Sequence, residues 1–380
     1  MSAAKQNLLG LTREELADVA EAIGEPRYRG QQMFGWLYSR GATSFGAMTD
    51  LGKAFRERLG MAATITGLTL ESRRRSHHDG TTKFLFALPD GRHIESVLIP
   101  PVSSFKGGSP AADGEPERLT LCVSTQVGCP LDCAFCATGV MGFTRNLTTG
   151  EIVDQVLQVR KATSKNITNV VFMGMGEPLM NYDNVMNAVE IIAGGIGITA
   201  RRITISTAGL ADRIRLMGDE ERKAKLAVSL HSAVNATRTR LMPINRKFDL
   251  TALRLALEHY YRRSQQRVTY EVILFDGVND TDPEVARLIT FARHVPCKMN
   301  IVPFHSIAFT GVGGPAAALR PSTRMEEVLR KLRAAHLTVM VRSNAGEDIE
   351  GACGQLAVMT EHRKKRRAGE GPDALLNESM

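Results

Sequence analysis

The sequence lacks any apolar run of the roughly 18 residues that a membrane-crossing helix requires, so no membrane partner is expected. Met1 to Gly10 lack the charged-then-apolar signature of a secretory signal, and a cytoplasmic location is therefore expected. In that compartment the six cysteines count as reduced thiols, metal ligands or catalytic groups rather than structural disulfides. Aromatic residues make up only 6% of the chain, with Trp36 the one tryptophan, which argues against an array of base-stacking platforms. No second CxxC or HxxxH pair follows Cys133-x-x-Cys136 at a distance suited to closing a zinc site.

What is present is a large apolar fraction, 43% of 380 residues, enough for a sizeable core, and a formal net charge of +8. A basic balance favours a polyanionic partner without proving one, because Lys and Arg neutralise phosphates and release counterions. The expected organisation has four parts: a helical accessory module over 1–70, a β-hairpin and linker over 71–118, an α/β core over 119–360 and a basic, disordered tail over 361–380. In the first part Thr12 can cap a helix whose Glu14 and Glu15 suit its positive end. Leu16, Val19, Ala20 and Ile23 then recur at helical spacing. In the second, Thr82–Ala87 and His93–Ile99 flank the turn Pro89-Asp90-Gly91-Arg92. The stretch 101–117 is a Gly/Ser/Pro-rich loop.

From Leu119 onward strand and helix alternate. Strand candidates are Leu119–Ser124, Asn169–Met173, Arg202–Ser206, Leu226–Leu230, Val268–Leu274, Met299–Pro303 and Thr338–Arg342; helical stretches such as Glu151–Ala162, Asn184–Ala193, Leu250–Arg263, Pro283–Val295 and Ser322–Ala335 lie between them. This pattern predicts a parallel sheet with crossover helices, about six βα units, closed partly or fully into a barrel. Ligands of such folds bind at the C-terminal ends of the strands.

Cys129, Cys133 and Cys136 follow the first of these strands. Thiolates are soft ligands that suit iron–sulfur clusters or zinc. A four-iron cluster normally takes four cysteines, so three leave one iron open to another ligand. A structural zinc site is the competing reading. Gly174-Met175-Gly176-Glu177-Pro178 follows the second strand, where glycines let backbone approach a ligand and a carboxylate can hold an ammonium group.

Cys-x-x-x-Cys-x-x-Cys with Phe135 before the last Cys resembles the radical S-adenosylmethionine (SAM) superfamily. The wider context, Cys122-Val-Ser-Thr-Gln-Val-Gly-Cys129 with the later Gly-Ala-Cys353-Gly-Gln-Leu, resembles the RlmN/Cfr family of RNA adenine methyltransferases from Tyr28 to Leu356. That resemblance implies a partial (βα)6 TIM-like barrel, one [4Fe-4S] cluster on Cys129, Cys133 and Cys136, and SAM bound at the open iron. It implies SAM contacts at Gly176, Glu177, Ser206, Ser229, Leu230 and His231. The family's Asn after the sixth strand is replaced here by His305, in Pro303-Phe304-His305. The implied reaction methylates carbon 2 of an adenosine in 23S rRNA and in tRNA and consumes two SAM. Cys353 carries the methyl group as S-methylcysteine, Cys122 resolves the protein–RNA adduct through a transient disulfide, and Glu95 is the acid–base residue. Arg342, Gly346 and Asp348 are expected to order the Cys353 loop. A flavodoxin- or ferredoxin-like electron donor and a monomeric state are expected. The alternatives are methylation at adenine carbon 8, as in Cfr, a radical SAM enzyme acting on a small molecule or peptide, and a non-catalytic zinc-bound RNA-binding protein. The helical module, the basic tail and Arg73-Arg74-Arg75 are candidate RNA contacts.

Overall fold

The computed structural model describes residues 5–101, 118–311, 315–342 and 344–357. The basic tail and nearly all of the 101–117 loop lie outside the described residues.

The first helix forms where its cap predicts. Thr12 accepts a hydrogen bond from the Glu15 N–H and Glu15 reaches back to the Thr12 N–H, a reciprocal capping box that starts Arg13–Ala22. The helix buries Leu16 and Ala20. It packs against Tyr28–Phe34 at Gly30, where a Cβ would stand 2.4 Å from the Ala17 backbone nitrogen. Lys53–Ala62 completes the helical part, and a two-residue parallel pairing of Gln6–Asn7 with Ala63–Thr64 ties its ends together. Two side chains fasten this module to the core: Ser39 Oγ donates to the Gly195 carbonyl at 2.7 Å and Arg13 Nη2 to the Gly194 carbonyl at 2.7 Å.

The core is one ten-stranded sheet. Its strands are β1 (Thr69–Arg75), β2 (Thr82–Ala87), β3 (His93–Ile99), β4 (Thr120–Cys122), β5 (Asn169–Phe172), β6 (Ile203–Thr207), β7 (Lys225–Ser229), β8 (Val268–Ile273), β9 (Cys297–Val302) and β10 (Val339–Val341). They lie side by side in sequence order, parallel from β4 through β10 and antiparallel from β1 to β4. The parallel set contains all seven strands expected from sequence. Crossover helices include Thr149–Thr163, Tyr182–Ile191, Leu250–Ser264, Asp282–Ala292 and Met325–Ala334. Ala211–Asp219 is a further helix, between β6 and β7.

The hairpin is continuous with the core, since β3 pairs with β4 through Val97 and Cys122. It gains an outer partner, β1, that alternation did not reveal. Thr69-Leu70-Glu71-Ser72-Arg73-Arg74-Arg75 has almost no apolar face because it is an exposed edge. Charge on such an edge discourages pairing with another chain.

Candidate active site

Residues at or beyond the C-terminal ends of β5 to β10 border a single cavity, of about 830 Å³ with its open mouth: Phe172, Ser206, Ser229, Ile273, Val302 and Arg342. Six strands can reach one cavity only if the sheet curls, so it is a partial barrel with its site at the strand ends.

The cysteine loop forms one wall. It leaves the short strand Gln126–Gly128, which pairs with Phe143–Asn146, and the Cys129 N–H donates to the Gly142 carbonyl at 2.9 Å. Further backbone bonds run from Ala134 to the Leu241 carbonyl, 2.9 Å, and from Ala137 to the Gly354 carbonyl, 2.7 Å. The second joins the cluster loop to the segment that carries Cys353. Cys129, Cys133, Cys136 and Cys353 all border the cavity. Burial pushes the Cys129 thiol up to about 12, and burial with the neighbouring thiols pushes Cys133 well above its ordinary range. Three thiolates therefore need a strongly cationic partner to coexist here, which suits an iron–sulfur cluster. Among the described residues no three Cys, His, Asp or Glu side chains gather round one point as a single metal ion requires.

The opposite wall is polar and pre-built. Glu177 is buried, its Oε1 accepting from the Leu179 N–H at 3.0 Å and its Oε2 from the Ala208 N–H at 2.7 Å. Burial pushes its carboxyl up to about 7, against the pull of these N–H donors. Gly176 has a φ of 101°, and a Cβ there would stand 2.6 Å from Gln126 Cβ, so only glycine fits.

His231 has a left-handed backbone, φ 54°, and a fully enclosed ring. Its Nδ1 accepts from the Ile273 N–H at 3.0 Å, which puts the proton on Nε2. Among the described residues buried Nε2 has no hydrogen-bond partner, although the residue borders the cavity. An orphaned donor beside a cavity is the mark of a ligand site. The second orphan is Glu271. Its Oε1 accepts from Asn300 Nδ2 at 3.0 Å, while among the described residues buried Oε2 has no hydrogen bond and stands 3.9 Å from Arg342 Nη1. These orphans and the glycine cradle fit SAM.

The structure thus brings together Cys129, Cys133, Cys136, Gly176, Glu177, Ser206, Ser229, His231 and Cys353. Four other expected site residues do not border the cavity. Leu230 follows Ser229 and, by the period-two rule, turns into the core, its N–H donating to the Glu271 carbonyl at 3.0 Å. Cys122 is buried in β4 and feels the charges of Cys353 and Arg342. His305 is buried three residues past Val302, its Nδ1 at 3.3 Å from Glu347 Oε1. Glu95 is buried in β3, its Oε1 at 3.1 Å from Lys83 Nζ and its Oε2 accepting from the Ala357 N–H at 3.2 Å.

Sequence reasoning missed Glu271 and assigned Arg342 only to loop order. The available signal for Glu271 was a carboxylate inside the otherwise apolar Tyr270-Glu271-Val272-Ile273. Arg238 was missed altogether. It is fully buried and donates to the carbonyls of Ala208 at 2.6 Å and Ser229 at 3.2 Å, which braces the loops after β6 and β7.

Two expectations arise from these buried charges. Burial, with the nearby Arg238 charge, lowers the His231 pKa to about 3, so the ring stays neutral in the fold, whereas an unfolded histidine protonates near 6.5. Stability attributable to His231 is complete above that pH and falls by about 1.4 kcal/mol per pH unit as the pH drops from 6.5 toward 3. Denaturant titrations at pH 7, 6 and 5 should show a shallower decline for His231→Gln; equal declines would refute this. Separately, Lys83→Met should destabilise by about 3 kcal/mol because it strands a buried carboxylate. Adding Glu95→Gln should recover most of that loss in the same unfolding assay, and an additive double variant would contradict the pairing.

Residues 6–65 match the model for the ribosomal RNA large subunit methyltransferase N-terminal domain, and residues 123–289 match that for the radical SAM superfamily. The chain is 42% identical to the probable dual-specificity RNA methyltransferase RlmN of Christiangramia forsetii over 359 residues, 93% of this chain and 96% of that protein. It is 41% identical to the dual-specificity RNA methyltransferase RlmN of Geobacter sulfurreducens, covering 96% of this chain and 95% of that one. The crystal structure of a radical SAM methyltransferase from Sphaerobacter thermophilus aligns with a TM-score of 0.80 at 40% identity, over 92% of this chain and 99% of that chain.

Proposed function

Because the chain belongs to the RlmN family of radical SAM RNA methyltransferases, we propose that it methylates carbon 2 of adenosine in 23S rRNA and in tRNA. The observation that carries this reading is the placement of Cys353 in the wall of the same cavity as Cys129, Cys133 and Cys136. The cofactors are a [4Fe-4S] cluster and SAM, which together supply a hydrogen-abstracting radical. A cluster and SAM alone would serve many reactions. A further thiol facing them serves a methyl transfer that passes through sulfur, as an electrophilic ring carbon demands.

In this reading Cys129, Cys133 and Cys136 hold the cluster. Gly176, Glu177, Ser206, Ser229 and His231 hold SAM, with Leu230 contributing backbone. His305 is left out of this set: it does not border the cavity, and its ring lies against Glu347. Cys353 carries the methyl group. Cys122 is the second thiol, which forms a disulfide with Cys353 when the product leaves. Glu95 is the acid–base group; burial raises its pKa, and its bond to Ala357 ties it to the Cys353 segment. The target base must leave its stack to reach a cavity at the strand ends.

A small reduced flavin or iron–sulfur protein of the flavodoxin or ferredoxin kind supplies electrons, and the enzyme acts as a monomer in the cytoplasm. No helix among the described residues is long and apolar enough to cross a membrane. The test is nucleoside mass spectrometry of 23S rRNA and tRNA from a deletion strain. Loss of 2-methyladenosine from both, restored by the parent gene, is expected. Loss of 8-methyladenosine with 2-methyladenosine intact would overturn the choice of carbon.

A further inference from the structure

The end of the barrel away from the SAM cavity carries charge that the methylation chemistry does not use. Lys225 opens β7, Lys298 is the second residue of β9, Arg202 immediately precedes β6 and Arg118 lies two residues before β4. Side chains on a strand return to the same face every second residue. Ser206, Ser229 and Val302 face the cavity. Arg202, Lys225 and Lys298 lie four residues before them, so they point into the same barrel interior from its other mouth. Arg118 lies four residues before Cys122, the last residue of β4, and so on the same side of the chain as that thiol. Four residues of strand span roughly 13 Å, which separates this mouth from the SAM site.

The other three groups surround Lys225. After burial, the charges of Arg118, Lys298 and Arg202 are what depress the Lys225 ammonium. Arg118 in turn feels the charge of Arg342, a wall residue of the cavity above. Arg118, Lys225 and Lys298 are exposed and Arg202 is half-buried, so solvent reaches all four residues. Among the described residues none of the four side chains has a carboxylate ion pair or a hydrogen bond, whereas Arg145, Arg324 and Lys331 are each paired with carboxylates. Gathering four like charges without a counter-charge costs stability, and a bound anion would relieve that cost.

We propose that Arg118, Arg202, Lys225 and Lys298 form a binding site for a phosphate-class polyanion at the N-terminal mouth of the barrel. Two guanidinium forks and two ammonium groups converging on one opening match the several oxygens of a pyrophosphate group better than a single carboxylate. The group can come from a free polyphosphate or nucleotide, or from the backbone of a bound RNA. The site is distinct from the SAM cavity and does not depend on which adenine carbon is methylated.

The test uses the full chain with its cluster reconstituted and inorganic pyrophosphate as probe, by titration calorimetry at low salt. The parent is expected to bind pyrophosphate and Lys225→Gln/Lys298→Gln to bind it at least tenfold more weakly, with unchanged affinity for SAM. Arg202→Gln is a second variant, in case the double variant fails to keep its SAM affinity. A tRNA arm identifies the source of the anion. If the site takes RNA backbone, pyrophosphate competes with tRNA and the variant's salt slope falls by roughly one unit or more. If it takes a free polyphosphate, tRNA binding responds to neither. A parent that binds no pyrophosphate, or variants that bind it as tightly as the parent, would overturn the proposal. Formation of 2-methyladenosine by the parent is a separate readout, so failure of the anion site and failure of the methylation reading are distinguishable.

Discussion

Cys353→Ala is expected to lower RNA methylation by at least about 10³-fold, a barrier increase of roughly 4 kcal/mol, while leaving iron content and SAM affinity within twofold of the parent. The two halves of this expectation have separate physical grounds. The segment around Cys353 is held by contacts that do not involve its sulfur. The Gly354 carbonyl accepts from the Ala137 N–H at 2.7 Å, Thr138 Oγ1 donates to the Leu356 carbonyl at 2.6 Å, and the Ala357 N–H donates to Glu95. Gly346, at φ 75°, accepts from the Gly351 N–H at 2.8 Å and closes the preceding turn. Removing one thiol from a loop clamped at both ends leaves its backbone in place, so the cavity that holds the cofactors persists. The chemistry is expected not to survive, because apart from Cys129, Cys133 and Cys136 no other described cysteine borders the cavity. The measurements are label transfer from methyl-tritiated SAM to RNA and peptide mass mapping of the purified parent. A methyl group on Cys353 in the parent is the expected companion result. Turnover of the variant within tenfold of the parent would remove Cys353 from the mechanism.

The elements that the sequence made legible share one property: their local pattern coincides with their tertiary role. The parallel strands are apolar runs because both faces of the sheet are covered. The cap at Thr12 and the turn at Pro89-Asp90-Gly91-Arg92 each state a local geometry that the fold keeps. What escaped lacks such a signature. The edge strand β1 is stabilised by pairing rather than by an apolar face. Glu271 and Arg342 sit 71 positions apart and become a pair only because β8, β9 and β10 are neighbours in a curled sheet. Arg238 belongs to a short helix, Asn235–Leu241, whose composition reads as exposed, yet its guanidinium is buried beneath two strand ends. Likewise, strand alternation alone could have announced the cationic mouth, but only the order of the strands brings its four members together.

Gly128→Ala is expected to abolish cluster binding, reducing iron from about four per chain to below one and removing the visible absorbance. Gly128 sits at φ 76°, where an alanine costs about 1 kcal/mol or more in backbone energy. That strain alone would be tolerable. The decisive contact is steric: a Cβ at Gly128 would stand 1.8 Å from the Gly142 carbonyl oxygen, and both partners are backbone. The chain can escape only by separating Gln126–Gly128 from Phe143–Asn146, a pairing already irregular between Val127 and Gly128. Separation breaks the 2.9 Å bond from the Cys129 N–H to that same carbonyl and swings Cys129 away from Cys133 and Cys136. Gly142→Ala isolates the steric part of the argument. Gly142 has a similar backbone, φ 71°, but nothing lies within 4 Å of its added Cβ. That variant should be destabilised by about 1 kcal/mol and keep its iron after anaerobic reconstitution. Equal iron retention by the two variants would show that the loop tolerates the clash, and equal loss would show that backbone strain, not contact with Gly142, controls the position of Cys129.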